Sequence, residues 1–381
     1  MNVCFVASSL GIGGLERVVT LVGESINNKE NTVYYFSIDD KPPYWEINDP
    51  DRIYLQGSKL SKYTQLIMKA SKSLEYIIRS GQFNINHYQK VFITNVIEYV
   101  NDRKINVLVL TSAHQIAAIP IIKKECKELK IVAWIHQSHQ AIVKNSKKFS
   151  QNFFNGIELA DKVVCLTDAT TNYFSRINKK TIKIYNPVSI DGRNRISNLS
   201  SSNVSFVSRV SFENGEKGLD LLIKLAKKLP QNIYITIAGS GTRNDEKTFS
   251  QLISKNGLQK KIIWQGAKQG ENLVKHYLDS TIFISTSRTE GFSLVILEAM
   301  SLGLPIISSP TTGARELLRD GEYGILTELD DIGNFAKIIE ELMDDPSELV
   351  KLQKLSLQRA QDFNKHNIVS QWIEMITALL L

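Results

Sequence analysis

Glu290 and Glu298 are the residues whose type and spacing point most directly to chemistry. They lie in the run Ile282-Phe283-Ile284-Ser285-Thr286-Ser287-Arg288-Thr289-Glu290-Gly291-Phe292-Ser293-Leu294-Val295-Ile296-Leu297-Glu298-Ala299-Met300, which reads as a strand, a tight loop and a helix. In open α/β sheets the crevice forms at the carboxyl ends of the strands, and a helix starting there aims unpaired N–H groups and the positive end of its dipole into it. Anions and sugar hydroxyls both suit such a place. At roughly 100° per residue, the two glutamates are expected to project to broadly the same side and face one pocket. The plainer alternative is a helix-start acid and a solvated helix residue. Against it, Leu294, Val295, Ile296, Leu297 and Met300 make the helix apolar nearly all round. Glu298 is therefore expected to be buried and to need a partner or a ligand.

Two cations stand upstream, in Val207-Ser208-Arg209-Val210 and Glu216-Lys217-Gly218-Leu219, on the loop between a strand and a helix. They either neutralise a bound anion or are a pair of solvated surface charges. Glycine turns at Ala238-Gly239-Ser240-Gly241 and Trp264-Gln265-Gly266 follow strands, where they often serve sterics alone. Near the start, Gly11-Ile12-Gly13-Gly14-Leu15-Glu16 follows a strand and precedes a helix, the place of a dinucleotide fingerprint. The third glycine of that fingerprint falls on Glu16, whose side chain opposes close packing and repels pyrophosphate, so an NAD-dependent enzyme is the weaker alternative. His136 ends the strand Ile131–Ile135 and lies at the carboxyl edge of its sheet, with His114 and His139 as second-rank candidates. Asp49-Pro50-Asp51 reads as turn chemistry, and no metal site is expected.

The elements that position these residues alternate between short apolar runs and helix-like segments, the pattern of parallel α/β layers. Strands are expected at Val3–Ser8, Thr32–Ile38, Val107–Thr111, Ile131–Ile135 and Lys162–Leu166. A second series runs through Val204–Ser208, Tyr234–Ala238, Ile262–Gln265, Ile282–Thr286 and Pro305–Ser308. Between them lie Ile184-Tyr185-Asn186-Pro187-Val188 and the polar stretch Asn194–Asn203. This divides 381 residues into domains at 1–185 and 186–366, with an amphipathic helix at 367–381 that carries Ile368, Trp372, Ile376 and Leu379 on one side and packs back on either domain. With 43% apolar and 22% charged residues the chain reads as globular. Cys4, Cys126 and Cys165 form no CxxC pair and read as buried thiols. Neither a signal peptide nor an apolar run of roughly 20 residues is present, so a cytoplasmic protein is expected.

With those residues in view, the segment from Glu290-Gly291-Phe292-Ser293-Leu294 to Glu298-Ala299-Met300-Ser301-Leu302-Gly303-Leu304-Pro305-Ile306-Ile307 resembles the E-x7-E element of retaining GT-B glycosyltransferases of family 4, the glycosyl transferases group 1. The resemblance extends over nearly the whole chain. It implies an α/β fold of GT-B type, two Rossmann-like doubly wound domains facing a central cleft. It further implies that Glu290 contacts hydroxyls of the donor sugar, that Glu298 holds the ribose, and that the N–H groups of Phe292, Ser293 and Leu294 line the sugar and phosphate pocket. Arg209 and Lys217 inherit the donor phosphates, Gly239, Gln265 and Gly266 the nucleotide side, and Gly13 and Gly14 the donor phosphates or acceptor. His136 inherits a positioning or transition-state role. Two departures are Ser208, where relatives usually have glycine, and a longer loop at Phe212-Glu213-Asn214-Gly215. Thr312-Gly313-Ala314-Arg315-Glu316 and Asp320-Gly321-Glu322-Tyr323-Gly324 match the pattern as architecture.

The implied reaction moves a hexose or N-acetylhexosamine from a nucleotide sugar, UDP-linked by family frequency, with retention of configuration and without metal or cofactor. A sugar-nucleotide epimerase and a non-catalytic binding module are the alternatives.

The acceptor side is read from charge. Residues 1–185 hold 24 Lys/Arg against 16 Asp/Glu, whereas residues 186–381 hold 22 against 23. From Lys59 to Arg79, Tyr63, Leu66, Ile67, Ala70, Leu74, Ile77 and Ile78 recur on one helical stripe and Lys62, Lys69, Lys72 and Arg79 on another, opposed only by Glu75. Such a helix either lies on an anionic membrane surface, helped by Lys123, Lys124, Lys127, Lys130, Lys144, Lys147 and Lys148, or packs on its sheet with solvated lysines. A peripheral enzyme at the inner face of the cell membrane is expected, acting on a glycan, glycolipid or polyol-phosphate acceptor such as capsule, exopolysaccharide or teichoic acid. No nucleic-acid motif is present.

Overall fold

The computed structural model describes residues 1–57, 62–190, 192, 195–329 and 331–381, without the side chains of residues 62–65. Lys59, at the head of the basic stretch, and Asn194, at the start of the polar one, lie outside the described residues. The chain divides into two units, Met1–Pro187 with Lys365–Leu381, and Val188–Asn364.

The first unit is built on a parallel sheet of β1 (Asn2–Ala7), β2 (Thr32–Ser37), β3 (Ile53–Leu55), β4 (Val107–Leu110), β5 (Lys130–Ile135), β6 (Lys162–Cys165) and β7 (Thr181–Lys183). Its spatial order is β3-β2-β1-β4-β5-β6-β7. Val3 in β1 pairs with Val33 on one side and Val107 on the other. Helices cover both faces, so the central strands are buried and read as unbroken apolar runs, as parallel sheets require.

The second unit repeats the plan with β8 (Asn203–Val207), β9 (Tyr234–Ala238), β10 (Ile262–Trp264), β11 (Ile282–Ser285), β12 (Ile306–Ser308) and β13 (Ile325–Leu326), in the order β10-β9-β8-β11-β12-β13. Both units thus follow the doubly wound order in which the winding reverses beside the first strand. The reversal falls between β1 and β4 in one sheet and between β8 and β11 in the other, and at each the two crossovers leave in opposite directions and open a crevice at the strand carboxyl ends.

The ten strands expected from the apolar runs form within one or two residues of their expected ends. The structure adds β3, β7 and β13, which are sheet edges of two or three residues with only partial burial. An edge needs no long apolar run, and runs as short as Ile53-Tyr54-Leu55 and Ile325-Leu326 do not stand out from the loops around them.

The final helix, Lys365–Leu380, belongs to the first unit. Trp372 is fully buried, with its ring centroid 4.5 Å from that of Trp134 and 6.0 Å from that of Phe5. The fully enclosed indole joins the last helix to the central strands. Trp372→Ala is expected to destabilise the first unit by about 3–5 kcal/mol, measured as a shift in its denaturant midpoint.

Candidate functional site

Three loops leave the carboxyl ends of the strands beside the second reversal point. After β11, residues 286–293 carry Glu290 to the start of the helix Leu294–Ser301. The first N–H groups of that helix have no acceptor within it. The spacing of the two glutamates is consequently not a helical one, since Glu290 lies four residues ahead of the helix in the loop; loop geometry rather than periodicity sets its direction. The loop after β12 braces this segment. Gly313 N–H donates to the Glu290 carbonyl at 3.1 Å, and a Cβ on Gly313 would stand 2.9 Å from Phe292 Cα. A side chain there would push the Gly291-Phe292 turn out of place.

Lys217 and Glu290 meet in this crevice as an ion pair, Nζ to Oε2 at 2.7 Å, both only partly exposed. The loop carrying Lys217 is held from behind. Gly218 has φ +62°, and a Cβ on it would overlap the Thr286 carbonyl oxygen, so only glycine fits. The Thr286 hydroxyl donates to the Gly218 carbonyl at 3.0 Å. Arg288 closes the other side: its N–H donates to the Glu216 carbonyl at 2.7 Å, Nη1 to the Gly215 carbonyl at 2.8 Å, and its guanidinium grips Asp220 at 2.8 and 2.7 Å. That hydrogen-bonded guanidinium holds the Asp220 carboxyl below its ordinary range. Thr286, Arg288 and Asp220 went unremarked in the sequence because nothing in their spacing sets them apart; only the fold brings them to the Lys217 loop. Arg209, on the same loop, is exposed, and among the described residues no carboxylate lies within ion-pair distance of it.

Glu298 is 2% exposed. Ser189 donates a hydrogen bond to its Oε1 at 2.6 Å and Tyr277 to its Oε2 at 3.0 Å. The burial expected of this carboxylate is present, and hydroxyls from two other segments supply its partners. Neither was singled out: Ser189 sits in the stretch read as a boundary, and Tyr277 lies on the apolar stripe of the helix Gly270–Leu278. Phe292 and Ser293 are buried beside the helix start, with Phe292 against the Phe363 ring at 5.9 Å.

The glycine turns lie next to these loops. Gly239 has φ +147°, and a Cβ there would overlap the Ser208 carbonyl oxygen, which accounts for the glycine on steric grounds. Its N–H donates to the Gly266 carbonyl at 2.8 Å, and Trp264 Nε1 donates to the Gly239 carbonyl at 2.8 Å. Gln265 turns its side chain to His276, Oε1 to Nδ1 at 3.0 Å, while Ser205 Oγ lies 3.0 Å from His276 Nε2. A neutral imidazole satisfies both contacts, with Nδ1–H donating to the amide oxygen and Nε2 accepting from the hydroxyl. Burial, aided by Lys268, pushes the His276 pKa down to about 4. Gln265 thus faces a polar cavity of about 300 Å³ shared with Asn203, Thr236 and Lys275.

In the first unit, Gly13 and Gly14 occupy the loop after β1, with Gly13 capping the helix Gly14–Ile26 in an extended conformation. The Glu16 side chain folds back over Gly13, whose missing Cβ leaves it room. A carboxylate thus sits where a dinucleotide pyrophosphate would have to approach, which argues against the NAD alternative. His136 follows β5 and lies against the Trp134 ring, centroids 4.2 Å apart. Its Nε2 is buried without a hydrogen-bond partner, and burial pushes its pKa down to about 3. His114 and His139 stack on Phe149 and Tyr173 at 4.7 and 4.8 Å, a structural use of both rings.

This geometry can be set beside known proteins. Residues 197–359 match the family model described as Glycosyl transferases group 1. The matched stretch holds Arg209, Lys217, Glu290 and Glu298. Over the full length, the chain is 23% identical to an uncharacterized glycosyltransferase of Haemophilus influenzae across 375 residues, 97% of each chain. Among solved structures it is similar to sucrose-phosphate synthase from Thermosynechococcus elongatus, with TM-score 0.78, 16% identity and coverage of 99% and 98% of the two chains. It is also similar to Anabaena HepE in complex with UDP and glucose, with TM-score 0.76, 17% identity and coverage of 99% and 100%. Likeness at these identities shows the fold: two Rossmann-like units of GT-B type.

Two outcomes follow. Gly218→Ala is expected to cost about 1–3 kcal/mol of stability in the second unit, read by thermal unfolding, because alanine is strained at this φ and meets backbone rather than a movable side chain. Acid is expected to destabilise the protein from about pH 6.5 down toward pH 3–4. In that window the unfolded chain binds protons at His136 and His276 that the folded chain refuses, so up to ~1.4 kcal/mol is lost per histidine and pH unit. Denaturant melts across that range should show the slope, and His136→Gln or His276→Gln should flatten it.

Proposed function

We propose that this chain is a retaining glycosyltransferase that moves a hexose or N-acetylhexosamine from a nucleotide sugar to a hydroxyl of a lipid-linked or anionic cell-surface glycan. The observation that carries the reading is the Lys217–Glu290 pair, held at the reversal point beside a helix N-terminus and within the stretch matched by the group 1 family. The pair brings a cation for phosphate and a carboxylate for sugar hydroxyls within one hydrogen-bond length.

On this reading Glu290 accepts hydrogen bonds from the donor sugar, while Lys217, Arg209 and the N–H groups of Phe292, Ser293 and Leu294 neutralise the leaving diphosphate. The acceptor oxygen bonds to the anomeric carbon on the face from which the nucleotide leaves. As the bond from that carbon to the phosphate oxygen breaks, the β-phosphate takes the acceptor proton. Glu298 holds the ribose, its Oε1 accepting from a ribose hydroxyl together with, or in place of, Ser189; a carboxylate has the lone pairs for both. Gly239, Gln265 and Gly266 contribute to the nucleotide side through their backbone. A neutral His136 with an unpartnered Nε2 suits a sugar hydroxyl, and Gly13 and Gly14 suit phosphate or acceptor. The proposed co-substrate is a UDP-sugar, in line with the UDP and glucose bound by HepE, and neither metal nor cofactor is invoked. The basic first unit supports an anionic or lipid-linked acceptor at the inner face of a membrane. Among the described residues no helix is long and apolar enough to cross one.

The test is a screen of UDP-sugars for nucleotide release and transfer, with the anomeric configuration of the product read by NMR. Glu290→Gln and Lys217→Ala are expected to lower kcat/KM by about 100-fold or more while circular dichroism stays unchanged. Normal turnover by either variant overturns the site, an inverted product overturns the mechanism, and a free epimer without transfer identifies an epimerase.

A further inference from the structure

The helix Lys62–Ile78 is turned the wrong way round for a soluble protein. At 100° per residue, Leu66, Ile67, Ala70, Leu74, Ile77 and Ile78 span an arc of about 120°. Opposite that arc lie Met68, Lys72 and Glu75. An ordinary surface helix buries the first set and exposes the second. Here Leu66, Leu74, Ile77 and Ile78 are between 60% and 75% exposed, whereas Met68, Lys72 and Glu75 are the partly buried residues. The alternative of a helix packed on its sheet by an apolar stripe is thereby corrected.

The inward face is held by polar contacts that use its charges up. The Lys72 ammonium stands 5.5 and 5.1 Å from the ring centroids of Phe83 and Tyr88. Glu75 accepts from the Asn84 N–H at 3.0 Å and from the Tyr88 hydroxyl at 2.8 Å, and pairs with Arg79 at 3.0 Å. The same helix touches a second basic segment. Lys148 lies over the Tyr76 ring at 5.5 Å, and Phe83 N–H donates to the Lys148 carbonyl at 2.8 Å. Exposed Lys144, Lys147 and Lys148 therefore lie on the segment that adjoins the C-terminal end of the helix, with exposed Lys69 and Arg79 on the helix side. Acids are nearly absent: Glu75 is the only one from Lys62 to Ile97, and there is none from Leu129 to Ile157.

We infer that the outward apolar stripe of this helix, rimmed by Lys69, Lys147 and Lys148, is a docking surface for an anionic lipid bilayer. The stripe supplies the area that enters the acyl boundary, and the lysines supply the attraction to the headgroups. A second copy of the same surface would set basic rim against basic rim, so charge disfavours self-association, and an apolar stripe flanked by lysines matches the layering of a bilayer, acyl chains beneath anionic headgroups. The surface deepens the reading of a lipid-linked acceptor and rests on it only for the purpose of docking; the contact itself is independent of transfer.

The experiment is co-sedimentation of the full chain with vesicles of phosphatidylcholine alone and with added phosphatidylglycerol. Binding is expected only with the anionic lipid and is expected to weaken as salt rises. Leu74→Asp/Ile77→Asp should lower the partition coefficient by at least about ten-fold, and Lys147→Gln/Lys148→Gln by about five-fold for each charge removed. Val350→Asp, an exposed apolar position of the second unit, should leave it unchanged. Circular dichroism and the melting temperature report that the variants fold. Equal binding by Leu74→Asp/Ile77→Asp, equal binding to neutral vesicles, or self-association of the wild type without vesicle binding would overturn the inference. Glu290→Gln should bind vesicles like the wild type, so a failure of the catalytic reading and a failure of this one give different results.

Discussion

A parallel sheet has to be covered on both faces, and nearly everything else in this protein follows from that constraint. With helices on both sides, the strands have no free surface, and side chains that meet a ligand can stand only beyond the strand ends. At the carboxyl ends the reversal of winding holds the loops apart. Lys217, Glu290 and Arg209 are all in loops that leave β8 and β11, the two strands at that reversal. Gly13 and Gly14 occupy the equivalent position after β1 in the first unit, and His136 follows β5.

The charges at the second reversal are kept in place by backbone. Gly218 fits against the Thr286 carbonyl with no atom to spare, Arg288 binds two carbonyls of the Lys217 loop, and Gly313 supports the turn after Glu290. These contacts fix the loops from within the fold, and under the proposed reaction they leave little reorganisation for the moment when negative charge develops on the donor phosphate. Glu298 plays a different part, because two hydroxyls already satisfy its oxygens within the fold.

Much of this was legible in the sequence, for a physical reason. Central parallel strands must be apolar throughout, so β1, β4, β5, β8, β9, β11 and β12 stand out as runs, and the burial of Glu298 follows from the apolar residues around it. The edge strands β3, β7 and β13 are short and half covered, and composition does not mark them. The helix starts at Leu294, beside the Ser293 where the sequence placed its beginning, so helical spacing does not extend to Glu290 and the loop sets its direction. Ser189, Tyr277, Thr286 and Arg288 reach the site through long-range contacts that no local pattern encodes. The stripe from Leu66 to Ile78 was plain as periodicity, yet periodicity says only that two faces differ. Which face points inward was decided by Phe83 and Tyr88, whose rings take up the lysine.

The placement of Trp372 has a consequence for how the chain is made. The first unit supplies its sheet from residues 2–183, but the helix that covers Phe5 and Trp134 is synthesised only after the whole of the second unit. Until then the emerging first sheet carries an uncovered aromatic patch. Vectorial synthesis therefore completes the units in an order opposite to that of their first strands: the second can close as soon as Asn364 has left the ribosome, while the first waits for the last helix. For that interval the nascent chain presents the kind of apolar surface that chaperones hold and that aggregation exploits.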